Sequence, residues 1–152
     1  LLRVLATSTS AGVVRALRDA EAVASGSAAH TLLDVLAETP GVVQVQHAGL
    51  ATLWALLRLG SRSGTQLEKR LIDRGLFEHC EDEWEDSKEH EGVAHCIGGV
   101  VMQLAANGDD AARASLTQSG AQALVTAVFA KHPGLSYKGA FASLKSWLRE
   151  KP

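Results

Sequence analysis

Apolar residues recur at helical intervals along most of this chain, most clearly from Gly41 to Gly60, GVVQVQHAGLATLWALLRLG. Val45, Ala48, Leu53, Leu56 and Leu59 fall three to five residues apart, the spacing of one buried helix face. Pro40–Gly41 closes the segment before it and Gly60 closes the run itself. The same reading across the chain predicts helices at about 11–24, 28–38, 42–59, 64–74, 76–86, 90–106, 109–118, 121–131 and 135–149. A run of roughly 18 residues is long enough to cross a bilayer. Gln44, Gln46, His47 and Arg58 lie inside it, however, and polar groups at membrane depth are costly, so a core helix of a soluble protein is expected.

The helices are not independent. Three short helical segments each end in glycine: AVASG at 22–26, LIDRG at 71–75 and LTQSG at 116–120. Gly26, Gly75 and Gly120 are thus 49 and 45 residues apart. A second amphipathic run follows each one, at 28–36, 76–84 and 121–129, and a longer helix follows that. In the first and third units a proline–glycine pair, Pro40–Gly41 and Pro133–Gly134, separates the last two helices. Each unit reads as helix, glycine break, helix, turn, longer helix. Glycine at the first break is the residue that enters the left-handed region without a Cβ penalty.

A period of 45–49 residues with two or three helices per unit is the period of armadillo and HEAT repeats. Leu53-Trp54-Ala55-Leu56-Leu57-Arg58-Leu59 resembles the third helix of an armadillo repeat, and LEKRLIDRGLFEHC at 67–80 resembles its first-to-second helix corner. The resemblance spans most of residues 11–150 and implies an all-α fold, an α-solenoid of about three armadillo- or HEAT-like repeats stacked in a right-handed superhelix. The units would be roughly 11–60, 61–108 and 109–150 of a single domain over 1–152, part of a longer protein. An irregular helical bundle would give a similar helix list and differ in how the helices stack.

Composition fits this picture. Hydrophobic residues make up 46% of the 152 residues and aromatics 5%, with alanine, leucine and valine dominant, which favours helix over strand. Net charge is −2, so no overall basic field invites nucleic acid. Two cysteines, Cys80 and Cys96, are too few for a disulfide framework, and a cytoplasmic or nuclear setting is the default for free thiols without a signal sequence. Leu1, Leu2, Val4 and Leu5 provide no polar cap at the start, as a chain continuing from a preceding repeat would not.

Four sets of residues are candidates for chemistry. His79, Cys80, His90, His95 and Cys96 supply soft ligands within 18 residues, yet they fit no tight zinc spacing, and both cysteines fall at positions a helix would bury. No metal and no cofactor is expected. From Glu78 to Glu91 eight carboxylates face a single lysine, Lys88. This block reads as a solvated face and loop, and Glu81, Asp82, Glu83, Glu85 and Asp86 are the candidates if it docks a basic partner. Trp54 and Arg58 lie one turn apart on the long helix. In the resemblance, Trp54 matches the third-helix tryptophan that lines a concave peptide groove, while Arg58 stands where the nuclear-import adaptors carry asparagine. That departure suits a carboxylate-bearing ligand better than a basic signal. Gln103 and Lys151 complete the groove candidates, with Trp147 one turn before the latter. Finally, Gly98-Gly99 and the glycines around Arg62 lack phosphate-loop spacing, and Gly98-Gly99 marks close helix approach instead.

No catalytic signature emerges. The expected function is a non-catalytic protein–protein interaction scaffold that lays a protein or peptide partner along a groove of third helices. The alternative is a structural part of a multiprotein assembly, making contacts with flanking repeats or other subunits through the solenoid ends and the acidic face.

Overall fold

The computed structural model describes residues 27–60 and 66–135, and among these every regular element is a helix. In chain order they are α1 (Ser27–Glu38), α2 (Val43–Gly60), α3 (Leu67–Asp73), α4 (Leu76–Ser87), α5 (Glu91–Asn107), α6 (Asp110–Gln118) and α7 (Ala121–Lys131). These fall within three residues of the boundaries expected from periodicity. The expected helices at 11–24 and 135–149, and with them Gly26, Trp147 and Lys151, lie outside the described residues apart from Leu135.

The two long helices form the centre. α5 packs against α2 along its length and also touches α3, α4, α6 and α7, while α1 pairs with α2. Its sequence EGVAHCIGGVVMQLAAN is apolar nearly all round, as a helix enclosed on several sides must be, and eleven of its residues are buried. The core joins Leu32, Leu33 and Leu36 of α1 to Leu50, Leu53 and Leu57 of α2. It continues through Leu71, Phe77, Ile97, Val100, Leu104 and Leu116 to Val125 and Val128 of α7.

Glycine corners turn the chain where periodicity placed them. Gly75 and Gly120 both adopt φ 90°, separating α3 from α4 and α6 from α7. Their hydrogen bonds also match. Arg74 N and Ser119 N donate to carbonyls four residues back, at 3.2 and 2.9 Å, and each glycine N donates three residues back, at 3.0 and 3.3 Å. A side chain resists positive φ, so this corner requires glycine twice over. Gly41, at φ 69°, makes the turn from α1 to α2. α6 starts differently: Asp109 is its N-cap and accepts from Ala112 N at 2.8 Å. Arg113 reaches back from α6 to the Ala105 and Gly108 carbonyls at the end of α5, at 3.1 and 3.3 Å.

Buried positions recur at fixed offsets along the described helices. Leu67, Leu71, Leu76, Cys80 and Glu83 are buried, and so are Ala112, Leu116, Ala121, Val125 and Val128, each 45 positions on. Between the first and second units the offset is 47: Ala29, Leu33 and Leu36 match Leu76, Cys80 and Glu83, and Gln46, Leu50, Leu53 and Leu57 match Val93, Ile97, Val100 and Leu104. The helix ends vary while the buried faces keep step.

Candidate functional site

The groove candidates meet at the seam between α2 and α5. His47, Trp54 and Arg58 share one face of α2, and Gly92, His95, Gly99 and Gln103 share one face of α5. The two faces interlock by placing rings over glycines. The His47 imidazole lies against Gly92, with Nε2 3.2 Å from where a Cβ would stand. One heptad on, the Trp54 indole covers Gly99 so closely that a Cβ there would come within 2.6 Å of the ring. His95 then meets the indole edge-on, ring centroids 5.3 Å apart at 80°. Gly99 thus serves close helix approach, as its place in a helix led one to expect. Its neighbour across the seam is the very tryptophan expected to line a groove.

Trp54 is half-buried and packed against the core. Arg58 is exposed one turn further on, and Gln103 is half-exposed one turn beyond Gly99. Three of the four groove candidates therefore share one strip of surface, while Lys151 lies outside the described residues. With the 47-residue register, however, the α5 positions matching Trp54 and Arg58 are Val101 and Ala105, both buried. The tryptophan–arginine pair occurs in α2 and is not repeated in α5.

The acidic block lies mostly on the helix expected at 76–86: Glu78 to Ser87 belongs to α4, and only Lys88 to His90 intervene before α5. Asp82, Glu85 and Asp86 are exposed and Glu81 is half-buried. Burial raises the Glu81 carboxyl above its ordinary value, assisted by neighbouring Glu78 and Asp82. Glu83 does not belong to this face. It is 1% exposed. One of its oxygens accepts from Gly41 N at 3.0 Å and the other accepts from the Ser87 hydroxyl, so it fastens the α1–α2 turn to α4. Buried carboxylates need donors, and a period-3.6 reading of a charged run has no means of supplying the turn 42 residues earlier.

A second buried polar residue sits beside it. Gln46 is fully buried and donates from Nε2 to the Leu36 and Thr39 carbonyls, both at 2.8 Å, capping the end of α1. Its Oε1 is left as acceptor for His79 Nε2 at 2.9 Å, which fixes His79 as the Nε2–H tautomer. Burial holds the His79 imidazole below its ordinary value, against the opposing pull of Glu83 and Asp82. The one available signal was a glutamine inside an apolar helix face.

The histidines disperse. His79 bonds Gln46, His90 is the exposed N-cap of α5, and His95 abuts Trp54. Cys80 and Cys96 are buried and form no disulfide, and burial pushes the Cys80 thiol far up, which makes it an inert core residue. Among the described residues no group of three or more histidine, cysteine, aspartate or glutamate side chains is disposed to hold a metal ion. Likewise, no described helix is long and apolar enough to cross a membrane.

No protein-family model matches the chain, and neither a curated protein nor a solved structure matches it. Its functional reading therefore rests on the geometry above.

Proposed function

We propose that this chain is a segment of an armadillo- or HEAT-like α-solenoid acting as a non-catalytic scaffold for a protein or peptide partner. The observation that carries the reading is the α2–α5 seam. There a half-buried tryptophan held by Gly99 and His95 lies next to exposed Arg58, with Gln103 on the facing helix. An aromatic fixed by packing offers contact area with little entropy to lose. An arginine beside it forks onto a carboxylate. The ligand class this combination fits is an extended peptide with an acidic side chain or a terminal carboxylate. The recurrence of buried positions at 45 and 47 residues supports the solenoid reading, since stacked units bury one continuous core.

The test is capture from cell extract with three proteins of equal helical circular dichroism: wild type, Arg58→Glu/Gln103→Glu, and Asp82→Lys/Glu85→Lys/Asp86→Lys. A partner retained by wild type and the α4 variant but lost by the α2–α5 variant supports the seam. Loss with the α4 variant alone transfers function to the acidic helix and to the assembly role.

A further inference from the structure

Of the three prolines in the chain, Pro40 is the one that follows a hydroxyl residue, Thr39. The pair sits in the turn between α1 and α2, where Glu38, Pro40, Gly41 and Val42 are exposed. The backbone of Thr39 is fully committed. Its N–H donates to the Leu36 carbonyl at 3.2 Å, and its carbonyl accepts from Val42 N at 3.3 Å and from Gln46 Nε2 at 2.8 Å. Its hydroxyl is at the surface, where it donates back to the Val35 carbonyl at 2.8 Å. A proline after the acceptor fixes the local backbone and removes the next N–H, which is the feature proline-directed protein kinases read.

We propose that Thr39 is a phosphate acceptor for a proline-directed serine/threonine kinase, and that the phosphate releases the α1–α2 turn from α4. In the transfer, Thr39 Oγ1 bonds to the γ-phosphorus of ATP as the bond to the bridging oxygen breaks. ADP leaves, and the hydroxyl proton passes to the kinase's catalytic aspartate. The consequence follows from what surrounds the turn. Thr39 stands at the C-terminal end of α1, where the helix dipole is negative. Glu38 precedes it, Glu83 holds Gly41 N, and Asp86 Oδ2 lies 4.0 Å from the Cβ position of Gly41. Asp34, further back along α1, already engages the Arg74 guanidinium at 2.9 and 3.1 Å. A dianion added here meets like charge. A kinase grips its acceptor extended, so the turn opens to be modified, and the phosphate then opposes reclosing. The Thr39 carbonyl leaves Gln46 in the same movement, which couples the modification to the buried network.

The test uses the 152-residue chain, a purified cyclin-dependent kinase and magnesium ATP, with mass spectrometry to locate phosphate and hydrogen exchange to read α1. Phosphate is expected on Thr39 in wild type and on the replacement hydroxyl in Thr39→Ser, and is expected to be absent from that position in Thr39→Val. Exchange of the α1 amides should rise about tenfold in the phosphorylated protein and return after phosphatase treatment. Unmodified Thr39→Val should exchange like wild type. Absence of phosphate at Thr39 overturns the proposal. So does a phosphorylated Thr39 with unchanged or slower exchange. Neither readout involves a binding partner, so the outcome is independent of the scaffold reading.

Discussion

Two turns of this molecule occupy matching places and are fastened in opposite ways. In the burial register, Gly41 corresponds to Lys88, and Ser87 at the end of α4 corresponds to His132 just after α7. At the first turn a backbone N–H, from Gly41, donates to buried Glu83, which also holds Ser87. At the second, a backbone carbonyl, that of Lys88, accepts from His132 Nε2 at 2.7 Å. Around the first join, Gln46 and His79 extend a buried network. Around the second, Lys131 pairs with Glu89 at 2.6 Å with both side chains largely in water, and His132 stacks edge-on against Trp84. One join is secured by buried groups that must all be satisfied, the other by surface groups that water can replace. What recurs at these offsets is the pattern of buried positions. The polar fastening is free to differ.

This contrast fixes the order of expected effects. Gln46→Leu keeps the volume but takes the second donor from the Leu36 and Thr39 carbonyls and leaves the His79 donor without its acceptor. It should cost about 2–4 kcal/mol in urea unfolding, with little dependence on salt. Gly99→Ala drives a methyl into the Trp54 ring and should cost about 1–3 kcal/mol while changing tryptophan fluorescence. A shifted spectrum with unchanged stability would mean that the indole can leave the seam freely. Gly75→Val and Gly120→Val probe the element that the units share. Each should cost about 1–2 kcal/mol for a branched residue at positive φ, and unequal losses would show that the two corners are not equivalent in energy.

The pH dependence expected at the first join is smaller. Burial depresses the folded-state affinity of His79 for a proton, so the unfolded chain binds the proton more readily. The stability His79 contributes is therefore complete above the ordinary histidine value near 6.5 and is lost as pH falls below it. Between about pH 7.5 and 5.5, a window that brackets the ordinary histidine value, wild type should lose more stability than His79→Gln, whose amide still donates to Gln46. Parallel curves would remove His79 from the network. Lys131→Ala should have the least effect of all, and what effect it has should fade when salt is raised, because exposed pairs are screened. A salt-insensitive loss would mean that the second join is fastened like the first.

Most of the helices were legible because they bury a face at helical spacing and are bounded by a glycine, a proline or a capping aspartate, all of which are local signals. Gly75 and Gly120 were found 45 residues apart, and both take the left-handed conformation expected of them. The choice of Trp54, Arg58 and Gln103 brought together residues on one strip, but nothing local revealed that the indole would rest on Gly99. Nor did the charge of Glu83 reveal that it is buried.

By itself, then, the sequence determined that the described residues are helical and, to within a few residues, where those helices begin and end. Spacing, caps and propensity act within a few residues, and those are all present in the string. Tertiary structure alone decided the 47-residue register of the first two units, the covering of Gly99 by Trp54, and the burial of Gln46 and Glu83. Each depends on a partner tens of residues away, Glu83 on Gly41 and Gln46 on His79, and a polar group's place inside or outside is set by whether such a partner arrives.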